Sequence, residues 1–150
     1  MVALFRLARL GFVPTVRPFG TVSLLSGRDC ARAVAHAIES DHRSGHYYVA
    51  EPEPVSRIHM ARAIAKTAGH RRVIPLPPSL VRGAGVIGEW VGRQRGKASM
   101  LNRDKAQDLI AAHQSCDPSR AMRVLKWTPH DRFITATQSI ARAYRLRGWL

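Results

Sequence analysis

The chain is short of negative charge, of lysine, of cysteine, of aromatic side chains and of long apolar runs, and each shortage narrows what it can be. Only two cysteines occur, Cys30 and Cys116, far apart and outside any CxxC or metal-ligand spacing. That excludes a disulfide framework and points to two packed thiols in a reduced, cytoplasmic chain. Seven histidines are scattered. His42 and His46 flank an Arg-Ser-Gly turn with no second ligand pair in view, so no metal site is expected. No stretch is long and apolar enough to span a bilayer, so no membrane is expected. The opening MVALFRLARLGFVPTV is interrupted by Arg6 and Arg9 and lacks the apolar core of a secretory signal. Its want of acidic residues before Asp29 gives it the composition of a transit peptide, but a short amphipathic helix with Leu4, Phe5, Ala8 and also Leu7 inward is the expectation.

Acidic residues number 10 against 24 basic ones, for a formal net charge of +14. Of the basic set only Lys66, Lys97, Lys105 and Lys126 are lysine. Such a surplus is an electrostatic footprint for nucleic acid, for an acidic partner, or for the phosphates of a nucleotide-linked substrate. Against nucleic acid stands the distribution: arginines occur in every segment, and the few aromatics do not interleave with them as stacking platforms would. A small basic binding module is therefore the alternative reading, with nucleic acid not the expected partner.

What is present centres on Thr21 to Pro52. Thr21 to Leu25 reads as a β-branched strand. Asp29 reads as the N-cap of a helix with Cys30, Ala33, Val34, Ala37 and Ile38 on one stripe. Ser44-Gly45 breaks the chain, and His46 to Ala50 reads as a second strand ending at Glu51-Pro52. Two strands joined by a helix predict a parallel unit covered on both faces. The residues divide accordingly: 1–20 a helix and cleft loop, 21–52 the strand–helix–strand unit, 53–150 a helical cap with one short strand, all within a single domain of 150 residues.

The string VSLLSGRDCARA followed by GHYYVAEPEPVS resembles the C-terminal part of the extended short-chain dehydrogenase/reductases, the NAD-dependent epimerase/dehydratase family. SRIHMARAIAKTAG, RRVIPLPPS, LNRDKAQDLI, CDPSRAMRVLKWTP and a last helix ending RLRGWL continue the resemblance through nearly all 150 residues. The fold it implies is α/β and helix-rich, with a few short, mainly parallel strands and without the N-terminal Rossmann core. In that family the nucleotide-binding glycine loop, the catalytic serine and the Tyr-x-x-x-Lys pair lie upstream, and no tyrosine here has lysine four places on. The resemblance thus implies a substrate-binding region, inactive alone, with NAD or NADP belonging to a full-length parent and no cofactor expected for this chain. Its expected partners are a small-molecule substrate, a nucleotide-sugar or similar hydroxyl or carbonyl compound, and the missing Rossmann part. The family's cleft loop corresponds to Gly11–Gly20, which makes Arg17 a candidate substrate contact, and Arg28 is a second candidate looking into the cleft. The L-x-x-D-K segment, which reaches over the cleft, adds Arg103 and Lys105.

Further along, Ser56 should cap a helix with Ile58, Ala61, Ile64, Ala65 and Ala68 inward and Gly69 as its stop. Arg71 to Pro75 reads as a brief strand. Gly83, Gly85 and Gly88 spell a literal G-x-G-x-x-G, but a buried strand should precede such a loop and a second strand with an acidic end should follow. Pro77, Pro78 and a short Ser-Leu-Val-Arg part Gly83 from the brief strand, and no second strand intervenes before Asp104, so small residues that let a helix pack closely are the expectation. After a turn at Gly96 to Met100, Asn102 should cap a helix with Ala106, Leu109 and Ile110 inward. Asp117-Pro118 should start another that ends by Trp127. Asp131 should cap the last, with Phe133, Thr137, Ile140 and Tyr144 on one face, and Trp127 and Trp149 as packing anchors.

Overall fold

The computed structural model describes all residues except Met1, His42, Arg43, His70, Arg71, Lys97, Ala98, Met100 and Leu150, and the side chain of Ile134 is likewise not described. The readings made above at His42, at Arg71 and at Lys97, Ala98 and Met100 therefore lie outside the described residues.

The chain begins with α1 (Val2–Arg9), whose Phe5 and Ala8 are buried as the spacing predicts. The next segment departs from expectation. Residues Val13–Val16 form a strand, β1, inside what reads in sequence as a loop. It pairs in parallel with β4 (Val73–Leu76), Pro14 lying opposite Ile74. Proline is tolerated here because the sheet has only two strands, so one side of β1 needs no N–H donor. Val13 and Arg17 donate instead, to the carbonyls of Arg72 and Leu76 at 3.0 and 3.1 Å.

A second small sheet has the order β3-β2-β5, with β2 (Thr21–Val22) antiparallel to β3 (Val55–Ser56) and parallel to β5 (His113–Gln114). The strand expected over His46–Ala50 joins no ladder, so the parallel strand–helix–strand unit does not form as read. Its register survives at one point, where Glu51 N–H donates to the Leu24 carbonyl at 2.8 Å. Gly20 allows this sheet to close. A Cβ there would sit 1.2 Å from the Ala112 carbonyl oxygen, which accepts the neighbouring Thr21 N–H.

Helices carry most of the packing. α2 (Gly27–Glu39) covers only part of its apolar stripe: Ala33 is buried, while Cys30, Val34 and Ile38 are exposed. The expectation of a packed Cys30 thiol is overturned for the same reason, since positions 30, 34 and 38 share a flank that no other element among the described residues covers. α3 (Arg57–Thr67) buries Ala61, Ile64 and Ala65, and Gly69 follows at φ +80° as the expected stop. Ser56 stands at its cap position without a side-chain bond. α4 (Pro78–Gln94) starts directly after Pro77 and packs on α5 (Arg103–Ile110). Asn102 caps α5 as expected, accepting the Lys105 N–H at 2.8 Å, although Leu109 points outward at 41% exposure. α6 (Ser119–Val124) begins after Asp117-Pro118, with Asp117 Oδ1 accepting the Ser119 N–H. α7 (Phe133–Leu146) buries Phe133 and Thr137 on the expected face.

Three apolar clusters result. The largest joins Phe5, Val13, Ile64 and Phe133, so α1, β1, α3 and α7 share one core. A second gathers Ala33, Ala121, Leu125 and Trp127. The third places Val16, Val81 and Ala106 together. Trp127 is an anchor as expected, but Trp149 is 44% exposed, resting its ring against Tyr144 at 5.6 Å between centroids.

Candidate functional site

A cleft of about 540 Å³ opens between residues 51–56, α3 and the start of α7. The first wall bends at Pro52 and Glu53 before β3, and Pro52 and Pro54 stiffen it, because proline fixes φ and cannot continue a helix. Pro129, Phe133, Val55 and Ala63 give the lining its apolar part. Glu51, Glu53 and Asp131 meet His59, Arg62 and Arg132 around it, so three of the chain's ten acidic residues gather in one place. Burial pushes the Glu51 carboxyl up from its ordinary value, the Phe133 N–H and Arg132 pull it back, and Asp131 adds to the rise. Sequence reasoning did not single out these residues. The signal was available in Glu51-Pro52-Glu53-Pro54, two carboxylates alternating with rigid residues in an acid-poor chain.

Next to this cleft, α2 is tied to the chain before α7. Ser26, not Asp29, is the N-cap of α2, accepting the Asp29 N–H at 3.0 Å. Asp29 is fully buried instead, because its carboxylate has better partners elsewhere. Its oxygens accept the N–H groups of His130 and Asp131 at 3.1 and 2.9 Å, and it pairs with Arg32. Ser26 Oγ donates to Asp131 Oδ2 at 2.8 Å, which takes Asp131 away from the capping role expected at α7. Arg132 occupies that cap position without a side-chain bond.

The four cations singled out in sequence stand apart from the cleft. Arg17 follows β1 ahead of a cis bond to Pro18, with its guanidinium 5.8 Å from the centre of the Phe19 ring. Arg28 lies exposed in the first turn of α2. Arg103 pairs with Glu89 at 3.3 Å, and Lys105 with Asp108 at 3.4 Å. No ion pair or hydrogen bond among the described residues joins any two of the four, and none lines the cleft.

The glycine motif is placed inside α4, several residues past its start. Gly85 and Gly88 face the neighbouring chain: a Cβ would lie 2.7 Å from Ala106 Cβ at the first and 2.1 Å from the Leu101 carbonyl oxygen at the second. Gly83 has open space around it. A dinucleotide pyrophosphate needs such glycines in the turn before a helix, where backbone N–H groups are free. These residues do not fit that cofactor, and two of them serve helix packing. Arg17, Arg28, Arg103 and Lys105 offer it no such cradle either.

No protein-family model matches the sequence, and no curated protein matches it. Solved structures do. The human epimerase family protein, determined with NADPH, aligns at a TM-score of 0.70 and 18% identity, over 93% of this chain and 42% of that one. UDP-N-acetylglucosamine 4-epimerase from Bacillus cereus aligns at 0.64 and 16% identity, over 96% and 39%. dTDP-glucose 4,6-dehydratase from Bacillus anthracis, in complex with NAD, aligns at 0.62 and 9% identity, over 95% and 39%. The chain thus spans about two fifths of the length of these structures. Likeness at such identities speaks for the fold, and the fold of this chain is that of a C-terminal portion of extended short-chain dehydrogenase/reductases.

Proposed function

We propose that this chain is the substrate-binding part of an NAD(P)-dependent epimerase, dehydratase or reductase, acting on a nucleotide-sugar or a similar hydroxyl or carbonyl substrate. The observation that carries the reading is the alignment of nearly the whole chain with about two fifths of such structures. Cofactor binding and hydride transfer then depend on a Rossmann part, and the chain by itself turns nothing over. The uncovered flank of α2 and the exposed Tyr48 in a strand-like segment without a ladder support this, since a neighbouring sheet would cover both. Arg17, Arg28, Arg103 and Lys105 are the proposed contacts to the anionic part of the substrate. Arg17 and Arg28 are the readier pair, because Arg103 and Lys105 already have carboxylate neighbours.

Calorimetric titration of the folded chain tests this, with UDP-N-acetylglucosamine as one probe and NADH as the other. The expected result is sugar-nucleotide binding that Arg17→Ala weakens about tenfold, as loss of a charge-assisted hydrogen bond would. The reading falls if the sugar nucleotide gives no heat. It falls equally if NADH binds and Gly83→Asp, at a site with room for the side chain, abolishes that binding.

A further inference from the structure

We infer that the groove between α3 and α7 is a binding site for a phosphorylated small molecule. It encloses about 590 Å³, within the range of small-ligand pockets. α3 contributes Lys66 and Thr67, and α7 contributes Gln138, Arg142 and Arg145. Ala63 and Ala141 are short enough to leave space between the two helices. Among the described residues no carboxylate lines the groove, and no ion pair engages Lys66, Arg142 or Arg145.

Three like charges held together repel one another, and an oxyanion between them removes that repulsion. The walls are fixed, because Ile64, Ala65 and Ala141 belong to the main core. Arg145 is also held, its Nη2 donating to the Thr67 carbonyl at 2.9 Å across the groove. A guanidinium has five N–H donors, so the others remain for a ligand. Basic residues at helix ends commonly neutralise the helix dipole, and that accounts for Arg145 and for Lys66 in the last turns of α7 and α3. It does not account for Arg142, which lies a turn earlier. A phosphate takes two or three such donors at once, with Gln138 as a neutral donor at the rim. The site uses none of the four cations of the proposed substrate region, so the two readings stand or fall separately.

The test is a titration of the full chain with pyrophosphate at moderate salt, followed by calorimetry and by NMR shifts. Lys66→Ala/Arg142→Ala should weaken binding at least about tenfold, by removing two charge-assisted contacts. Arg82→Ala/Arg95→Ala, which removes the same charge from exposed positions on α4 and just past its end, should change it less than about twofold. All four side chains are exposed, so both variants should fold, and circular dichroism confirms it. Absence of pyrophosphate binding overturns the inference, as does equal weakening by the two variants. A single-stranded oligonucleotide that binds more tightly than pyrophosphate, and loses affinity equally in both variants, overturns it as well, because the charge would then act as a diffuse polyanion surface.

Discussion

Residues of one type in one motif behave oppositely here, because their surroundings differ. Gly83 and Gly85 stand two places apart in α4, yet only Gly85 is pressed against α5. Gly83→Ala should stabilise the chain by about 1 kcal/mol, the helix-propensity difference at an exposed position. Gly85→Ala should destabilise it by about 1–3 kcal/mol through overpacking. Urea denaturation of the two variants measures both. Glu51 gives a prediction of a different kind. Its carboxyl is raised above the ordinary 4.5, chiefly by burial, so the folded state favours the protonated form. The stability that comes from this group is present at acid pH and is lost as pH rises through the raised value. Glu51→Gln, which keeps an acceptor for the Phe133 N–H, should therefore melt above the parent at neutral pH. The gap should close as pH falls below 4.5. A lower melting temperature at neutral pH would show that Arg132 outweighs burial.

At the scale of elements, α2 shows what a periodic pattern reveals and what it leaves open. The spacing of Cys30, Ala33, Val34, Ala37 and Ile38 located the helix, but only Ala33 is buried outright. Periodicity tells which side chains share a stripe and is silent on whether another element covers it. Val34→Lys and Ile38→Lys, at 55% and 79% exposure, should each change stability by less than about 0.5 kcal/mol. Both should lower self-association in sedimentation, because an exposed apolar flank favours it. Retained self-association would show that the flank is not the sticky surface. The same division holds elsewhere. Helices with clear caps and inward faces, such as those at Asn102 and Asp117-Pro118, were legible. The strand Val13–Val16 was not, because two glycines and two prolines spell a loop locally and only its pairing with Val73–Leu76 makes it a strand. The expected strand over His46–Ala50 failed for the converse reason, having β-forming residues but no partner to pair with. The cleft at Glu51 was legible only in its first wall, the Glu51-Pro52-Glu53-Pro54 run, since the other walls come from residues up to 63 and from 129–133 and only tertiary packing brings them together.

Across the whole molecule, the buried Asp29 carboxylate links the first turn of α2 to the approach to α7. Asp29→Ala should cost about 2–3 kcal/mol, because two backbone N–H groups lose their acceptor and Arg32 loses its carboxylate. Ser26→Ala should cost about 1 kcal/mol, as an ordinary cap does. Chemical denaturation separates the two, and equal costs would mean that the tether contributes no more than the cap. The groups that meet at Asp29 are 101 and 102 residues distant along the chain. On a ribosome the segment bearing Asp29 emerges long before its acceptors' donors at His130 and Asp131 exist. During that interval the carboxylate must stay hydrated, so α2 cannot settle into its final seat until synthesis has passed residue 131. Fragments ending before that point should therefore be sensitive to proteases around residues 26–32, and protection there should appear only once the donor segment is included.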